Sequence, residues 1–373
     1  MKYIFWVSAS TIAYAYFGYA AWLWLRCRWR RKPLCSAGHT PFVSIVLVIR
    51  DEFPTIGRKM RNLLDLDYPA DHFEIVVVSD GSGDATNNVL SRFAQDARVH
   101  VVCKSESQGK AAGINDALNI AKGDIVLFAD VRQFIERRAL RLLVEDFADA
   151  TVGCSSGELM LGDPSVGEIT ARMGLYWRLE KKVRELESAC GSTVGATGAL
   201  YAARRGLIVP VPLGTILDDV FIPMHIVRQG FRTVFNSRAR AWDLPDLGLD
   251  REFKRKVRTL SGNYQLLQLA PWLLTRANPI RFSFVSHKLL RLVVPFALVT
   301  LLVTSFALPA PVYRIALYLQ LVVYSLAAIS IPRVAPGILA RLADASFTFV
   351  VLNTAAFVAF VNFITGRKVV WGG

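Results

Sequence analysis

Apolar residues fall into distinct patterns along this 373-residue chain. Residues 3–24 form an unbroken apolar run without a single charge, long enough as a helix to cross a bilayer. Three further runs, 292–308, 315–331 and 345–366, lie near the C-terminus, punctuated by Pro-Ala-Pro at 309–311 and by the 332–337 stretch. Between these ends the pattern changes. Short β-branched runs at 42–49, 73–79, 99–103, 125–129, 152–161 and 199–203 have the length and composition of strands. Helical segments fall between them at roughly 55–66, 85–96, 109–121 and 136–149. Strand–helix alternation of this kind predicts an α/β domain with a mostly parallel sheet covered on both faces. Such sheets bind ligands at the carboxyl ends of their strands.

Two amphipathic stretches complete the pattern. Residues 251–274 carry five basic residues between 251 and 258, then Leu266, Leu267, Leu269, Trp272 and Leu273, and read as an interfacial helix lying on a membrane. Residues 176–182 read as a helix with a charged face whose aromatic residues pack. The implied division is an N-terminal transmembrane anchor and basic linker (1–40), an α/β domain (41–250), an amphipathic interfacial segment (251–291) and a C-terminal region of about three spans (292–373).

Composition sharpens this picture. Hydrophobic residues make up 53% of the chain, above the range of soluble domains. The net charge of +14 is concentrated beside apolar spans, as at Arg26, Arg28, Arg30, Arg31 and Lys32, which places the following domain in the cytoplasm. No nucleic-acid-binding module is present, so the charge points to membrane lipids instead. The first run ends in Trp-Leu-Trp-Leu and arginines instead of a small-residue cleavage site, so it reads as an anchor and not a signal peptide. Counting four spans puts Arg333 and Arg341 inside but Arg367 and Lys368 outside. The five cysteines contain no Cys-x-x-Cys pair and read as reduced thiols. The five histidines lack metal-ligand spacing, which excludes a zinc site.

Candidate chemistry sits where strands end. Asp80 follows Val-Val-Val in Ser79-Asp80-Gly81-Ser82-Gly83-Asp84, where it suits either a ligand contact or a turn with a helix cap. Asp130 ends an apolar strand, where a carboxylate needs a partner or a cleft. Asp218 and Asp219 open a helical segment, where acidic residues also serve as ordinary dipole partners.

Taken in order, these residues resemble the membrane-bound glycosyltransferase family 2 proteins, the cellulose-, chitin- and hyaluronan-synthase-like enzymes and their bacterial relatives. The resemblance covers about residues 41–270. It rests on Val43-Ser44-Ile45-Val46 with Arg50-Asp51-Glu52, on Val78-Ser79-Asp80-Gly81-Ser82, and on Gly109-Lys110-Ala111-Ala112-Gly113-Ile114-Asn115. Phe128-Ala129-Asp130, Thr197-Gly198-Ala199, Leu217-Asp218-Asp219 and Gly262-Asn263-Tyr264-Gln265 follow. The resemblance implies a GT-A fold (Rossmann-like) flanked by transmembrane helices, and inverting transfer from a nucleotide-sugar donor. Glu52, Asp80 and Lys110 would line the nucleotide, and Asp130 the diphosphate–ribose and metal region. Asp219 would be the general base, beside Asp218, and Arg258 would stabilise the departing diphosphate. Thr197, Gly198 and Gln265 would border the acceptor or diphosphate. The implied cofactor is a divalent cation, Mg or Mn, and the acceptor a lipid or carbohydrate at the cytoplasmic face of a bacterial plasma membrane.

Two departures stand out. Asp-x-Asp becomes Asp130-Val131-Arg132, replacing the second carboxylate with a cation. The Gln-x-x-Arg-Trp motif of processive synthases becomes Arg255-Lys256-Val257-Arg258-Thr259, keeping only the arginine. The second favours single-sugar transfer over polymer synthesis and export. The first is the main support for a non-catalytic nucleotide-sugar sensor on the same fold, against which stand Asp80, Asp130, Asp219 and Arg258.

Overall fold

The computed structural model describes residues 1–163, 167–168, 175–244, 249–330 and 337–367. Helix α1 (Lys2–Ala13) continues through a π turn (Tyr14–Gly18) into α2 (Tyr19–Trp29). The α/β region then runs β1 (Val43–Ile49), α3 (Phe53–Leu64), β2 (Phe73–Asp80), α4 (Asp84–Phe93), β3 (Val99–Lys104), α5 (Lys110–Ile120), β4 (Ile125–Ala129), β5 (Phe134–Ile135) and α6 (Ala139–Glu145). It continues with β6 (Val152–Asp163), β7 (Gly167–Glu168), α7 (Leu175–Cys190), β8 (Leu200–Arg204), α8 (Asp218–Arg228) and β9 (Arg232–Asp243). Last come α9 (Leu249–Leu269), α10 (Arg281–Phe284), a π turn (Val285–Leu289), α11 (Leu290–Ala307), α12 (Pro311–Ser330) and α13 (Gly337–Ile364).

The strand order is β3-β2-β1-β4-β8-β6-β9-β5, with β7 paired to β6. Strands β3, β2, β1 and β4 are mutually parallel, as the alternating pattern predicts. From there the sheet is mixed. β8 runs antiparallel to both β4 and β6, while β6 and β9 are parallel. All seven residues of β1 are buried. Val43, Ile45, Leu47 and Ile49 face a core built with Ile56, Met60 and Leu63 of α3 and Leu90 of α4. Val46 and Val48 face the opposite core, with Ile114 of α5 and Ile222 and Ile226 of α8. This double burial is why the parallel strands read as continuous apolar runs. The carboxyl ends of β1, β2 and β4 open on one side, and the candidate site lies there.

The second core reaches past the α/β region. Leu266 of α9, Leu273 of the 3-10 turn Pro271–Leu274 and Phe284 of α10 belong to it, and Phe284 is fully buried. The segment leading into the first C-terminal apolar helix is therefore part of the domain core. Among the described residues, three segments are long and apolar enough to cross a membrane: Arg281–Ala307, Pro311–Ser330 and Gly337–Ile364. The N-terminal helix packs on α11 through Ile12, Ala15 and Tyr16 against Leu290, Val294 and Leu298. Tyr264 of α9 stacks on Phe363 of α13, with ring centroids 5.1 Å apart. Arg333 and Lys368, which enter the span count, and the Tyr176 side chain lie outside the described residues.

One expectation is corrected. Cys27 and Cys190 are joined as a disulfide, not free thiols. They lie 163 residues apart and meet only because α2 packs along α7, a tertiary contact that sequence spacing does not encode. Cys35, Cys103 and Cys154 are free.

Candidate active site

Three carboxylates meet near one lysine. Lys110 opens α5 and reaches across the strand ends to Asp130, with Nζ 3.1 Å from Oδ1, and to Asp218, 3.3 Å from its Oδ1. Burial works against the charged amine, but Asp130, Asp218 and Asp219 outweigh it and raise the Lys110 pKa. Asp219 is the next residue of α8. Burial pushes its carboxyl up and the neighbouring Asp218 adds to that, against Lys110 and Lys288, leaving it at about 6. Arg258 of α9 lies near the same three aspartates; burial lowers its guanidinium pKa, and their charge only partly offsets that. Lys110, Asp130, Asp218, Asp219 and Arg258 thus lie together at the strand ends.

The floor beneath them is aromatic. Phe128 of β4 and Tyr201 of β8 stack with centroids 4.6 Å apart. Among the described residues the Tyr201 hydroxyl is buried without a hydrogen-bond partner, and so is Oδ2 of Asp218. Buried polar atoms in folded proteins are nearly all paired, so two orphans in one site mark it as shaped for something it binds. Tyr201 carried no motif signal, because in the sequence it is one of several residues filling a strand.

Gly198 explains why the Thr197-Gly198-Ala199 segment is what it is. A Cβ on Gly198 would lie 3.0 Å from Oδ2 of Asp219. The loop is pinned by the Thr197 N–H donating to Ser156 Oγ (2.9 Å) and by Arg184 donating to Thr197 Oγ1 (2.7 Å). The Ala196 N–H donates to the Asp219 carbonyl at 2.7 Å, so loop and helix start move together. Gln265 does not point at a reacting group. Its Nε2 donates to the Gly214 carbonyl and its Oε1 accepts from the Ile216 N–H, tying α9 to the loop that precedes Asp218.

At the end of β2, Asp80 is wholly buried and accepts from Ser107 Oγ, the Gln108 N–H and the Gly109 N–H at 2.7–2.9 Å. Burial raises the Asp80 pKa, but these hydrogen bonds and Lys104 outweigh it and the net shift is downward. Gly81, at φ +69°, allows the approach, since a Cβ there would meet Ser107 N at 2.5 Å. Asp80 therefore fixes the loop that presents Lys110. Glu52 is half-buried, and its Oε2 accepts from Thr55 Oγ1 at 2.7 Å at the start of α3. Its neighbour Asp51 belongs to the same Arg50-Asp51-Glu52 motif, which by itself assigns it no role. It adopts φ +52°, and its Oδ1 accepts from the Gly83 N–H, clamping the ends of β1 and β2. A left-handed aspartate at a strand end is the kind of strain that collects at functional sites.

Arg132 turns toward β9, with its guanidinium 3.3 Å from Asp243 Oδ1. Gln133 donates to Asp243 at 3.0 Å and Arg255 approaches within 3.6 Å. Lys59, 2% exposed, donates to the Gln133 carbonyl at 2.8 Å, and burial brings its pKa down to about 7. Among the described residues no three His, Cys, Asp or Glu side chains form a metal-ligating group. A hard divalent cation takes six or more oxygens. Here Asp130 offers one carboxylate, already facing Lys110, and Arg132 occupies the place of the second. The residues present do not form a cation cage by themselves.

Residues 44–208 match the family model described as "Glycosyl transferase family 2". Among curated proteins, a poly-β-1,6-N-acetyl-D-glucosamine synthase of Staphylococcus aureus is 22% identical over 273 residues, covering 71% of this chain and 63% of its own length. The synthase of the same name from Staphylococcus epidermidis is 21% identical over 239 residues, covering 62% and 56%. The chain thus spans less than two thirds of the length of these relatives. Among solved structures, a mannosyltransferase from Pyrobaculum calidifontis in complex with GDP-Man and Mn2+ superposes with a TM-score of 0.73 at 24% identity. That alignment covers 98% of this chain and all of the other, and shows a shared GT-A fold.

Proposed function

We propose that this chain, whose residues 44–208 match the glycosyl transferase family 2 model, is a nucleotide-sugar glycosyltransferase that transfers a single hexose, with inversion, to a lipid-linked or carbohydrate acceptor at the cytoplasmic face of a bacterial plasma membrane. The observation that carries the reading is the convergence of Asp130, Asp218 and Asp219 on Lys110 at the strand ends, with Arg258 near them. In this reading Asp219 takes the proton of the acceptor hydroxyl as its oxygen attacks the anomeric carbon. The bond from that carbon to the diphosphate breaks, and Arg258 and Lys110 offset the charge that develops on the leaving group. Asp130 borders the diphosphate, and Asp80 supports the nucleotide through the loop at 105–109.

The cytoplasmic placement rests on the arginines that follow the first apolar run, with residues 3–24 as an anchor and 41–250 as the catalytic unit. The loss of Gln and Trp around Arg258 supports single transfer. The likeness to polysaccharide synthases supports polymer synthesis as the second reading. Product length with a panel of radiolabelled nucleotide sugars and native lipid extract decides between them: one sugar per acceptor supports the first, and a ladder overturns it.

Two results are expected at the donor side. Asp80→Asn weakens donor binding before it slows transfer, because an amide oxygen is a poorer acceptor for the two N–H groups that order the loop. Donor titration of this variant should give a raised dissociation constant with saturated turnover kept within a few-fold. Unchanged donor affinity would remove Asp80 from nucleotide support. Activity is also expected to survive chelator better than in Asp-x-Asp relatives. Complete loss with chelator and full recovery with magnesium or manganese would reject that expectation and assign Asp130 to a cation shared with the diphosphate.

A further inference from the structure

The charged face of α7 does not look into solvent. It meets the start of the first C-terminal apolar segment in a buried polar network. His287 is 1% exposed, with Nδ1 2.8 Å from Glu187 Oε1 and Nε2 2.9 Å from Glu180 Oε1. Tyr19 of the N-terminal helix donates to Glu187 at 2.7 Å, and Arg291 donates to Glu180 at 2.6 Å. Both carboxylates are therefore engaged from within the network.

Two cations are left without a carboxylate of their own. Arg184 shares Glu180 at 3.6 Å and spends its other nitrogen on Thr197, in the loop that touches Asp219. Lys288, half-buried on the π turn beside His287, has no hydrogen-bond or ion-pair partner within reach among the described residues. It lies near enough to Asp219 for its charge to hold that carboxyl down. The carboxylates nearest it, Glu180 and Asp219, are shared with Arg184, Arg291 and Lys110, so an ammonium drawn partly out of water here is under-compensated, and an entering anion offsets that cost. The place is also specific: the domain meets the apolar helices here, next to the group read as the base. A neutral sugar acceptor would give Lys288 nothing to neutralise.

We propose that Lys288, with Arg184, recognises the phosphate of a lipid-anchored acceptor and thereby presents that lipid's free hydroxyl to Asp219. The acceptor is thus a phosphate ester on a lipid that also carries a hydroxyl, a description met by a prenyl-diphosphate sugar or by a polyol glycerophospholipid. The proposal rests on the reading of Asp219 as the base, but its test reads binding and not transfer.

The full-length Asp219→Asn chain in neutral phosphatidylcholine nanodiscs is titrated with three probes: a prenyl-diphosphate N-acetylglucosamine, a short-chain phosphatidylinositol and octyl β-glucoside. At least one phosphate-bearing probe is expected to bind more than tenfold tighter than the neutral glucoside, and which one does so identifies the source. Adding Lys288→Met should weaken that probe about tenfold or more, the loss of one charge-assisted hydrogen bond. Nucleotide diphosphate affinity should stay unchanged, and Lys288→Arg should retain lipid affinity, which separates recognition from misfolding. Equal affinity for neutral and phosphate-bearing probes overturns the proposal. So does a Lys288→Met chain that keeps its lipid affinity, which would leave Lys288 as a charge balance for Asp219 only. Near-normal transfer by the Asp219→Asn chain would remove the base assignment and leave these binding results standing.

Discussion

Asp219→Asn is expected to lower sugar transfer by roughly 10²–10⁴-fold, the usual range for loss of a positioned base. The amide keeps the shape that Gly198 packs against but cannot take a proton. Donor affinity should barely change, because the groups read as nucleotide contacts lie at Asp80, Lys110 and Asp130. Thermal stability should hold as well. Burial and Asp218 raise the Asp219 carboxyl, so its ionised form is disfavoured in the folded chain and an uncharged amide costs little there. The sign of the pH dependence follows. A base must be ionised, so transfer by the native enzyme should fall as pH drops through about 6. In Asp219→Asn that limb should vanish from the residual rate. A variant with near-normal turnover would transfer the role to Asp218. A helix-capping role alone would cost about 1 kcal/mol or less of stability and leave the rate intact.

Arg258→Met should cost about 10²–10³-fold in turnover, the scale measured when one preorganised donor to a developing anion is removed. Ground-state donor affinity should fall less than turnover, because the charge on the leaving diphosphate is greatest as the glycosidic bond breaks. Arg258→Lys should recover part of the rate: it restores charge but not the planar fork of donors. Donor affinity by titration and turnover at saturating donor distinguish these effects. If both variants turn over within a few-fold of the native chain, Arg258 is a packing residue of α9 and not a partner of the leaving group.

Much of this site was legible because its parts sit at strand ends. Val-Val-Val before Asp80 and Ile-Val-Leu-Phe-Ala before Asp130 mark β2 and β4 by composition, and the register between parallel strands then brings their ends together. Strand β9 was not legible. Arg232, Arg238 and Arg240 interrupt its alternation, and its pairing with β6 is irregular between Ser156 and Glu158. With β9 went Asp243, and so the partner of Arg132 was missed. The charged helix at 176–182 is α7, but its Glu180 side chain faces inward. Periodicity gives a helix a polar face without saying that another charged segment, more than a hundred residues later, will cover it. Tyr201 and Lys59 were silent for a related reason, since each acts through burial and belongs to no motif, and Asp51 stands in the Arg50-Asp51-Glu52 motif while its role lies in backbone geometry that residue type does not show.

Helix α9 carries Arg258 and, six residues later, Tyr264, whose ring rests on Phe363 of α13. At 1.5 Å per residue these two side chains leave one rigid rod about 9 Å apart. An apolar helix tilts to match the thickness of the hydrocarbon around it. Were α13 to tilt in a bilayer, that stacked pair of rings would carry the movement to α9 and to the guanidinium near the three aspartates. Bilayer thickness would then reach the candidate site as a mechanical setting, apart from any chemistry of lipid headgroups.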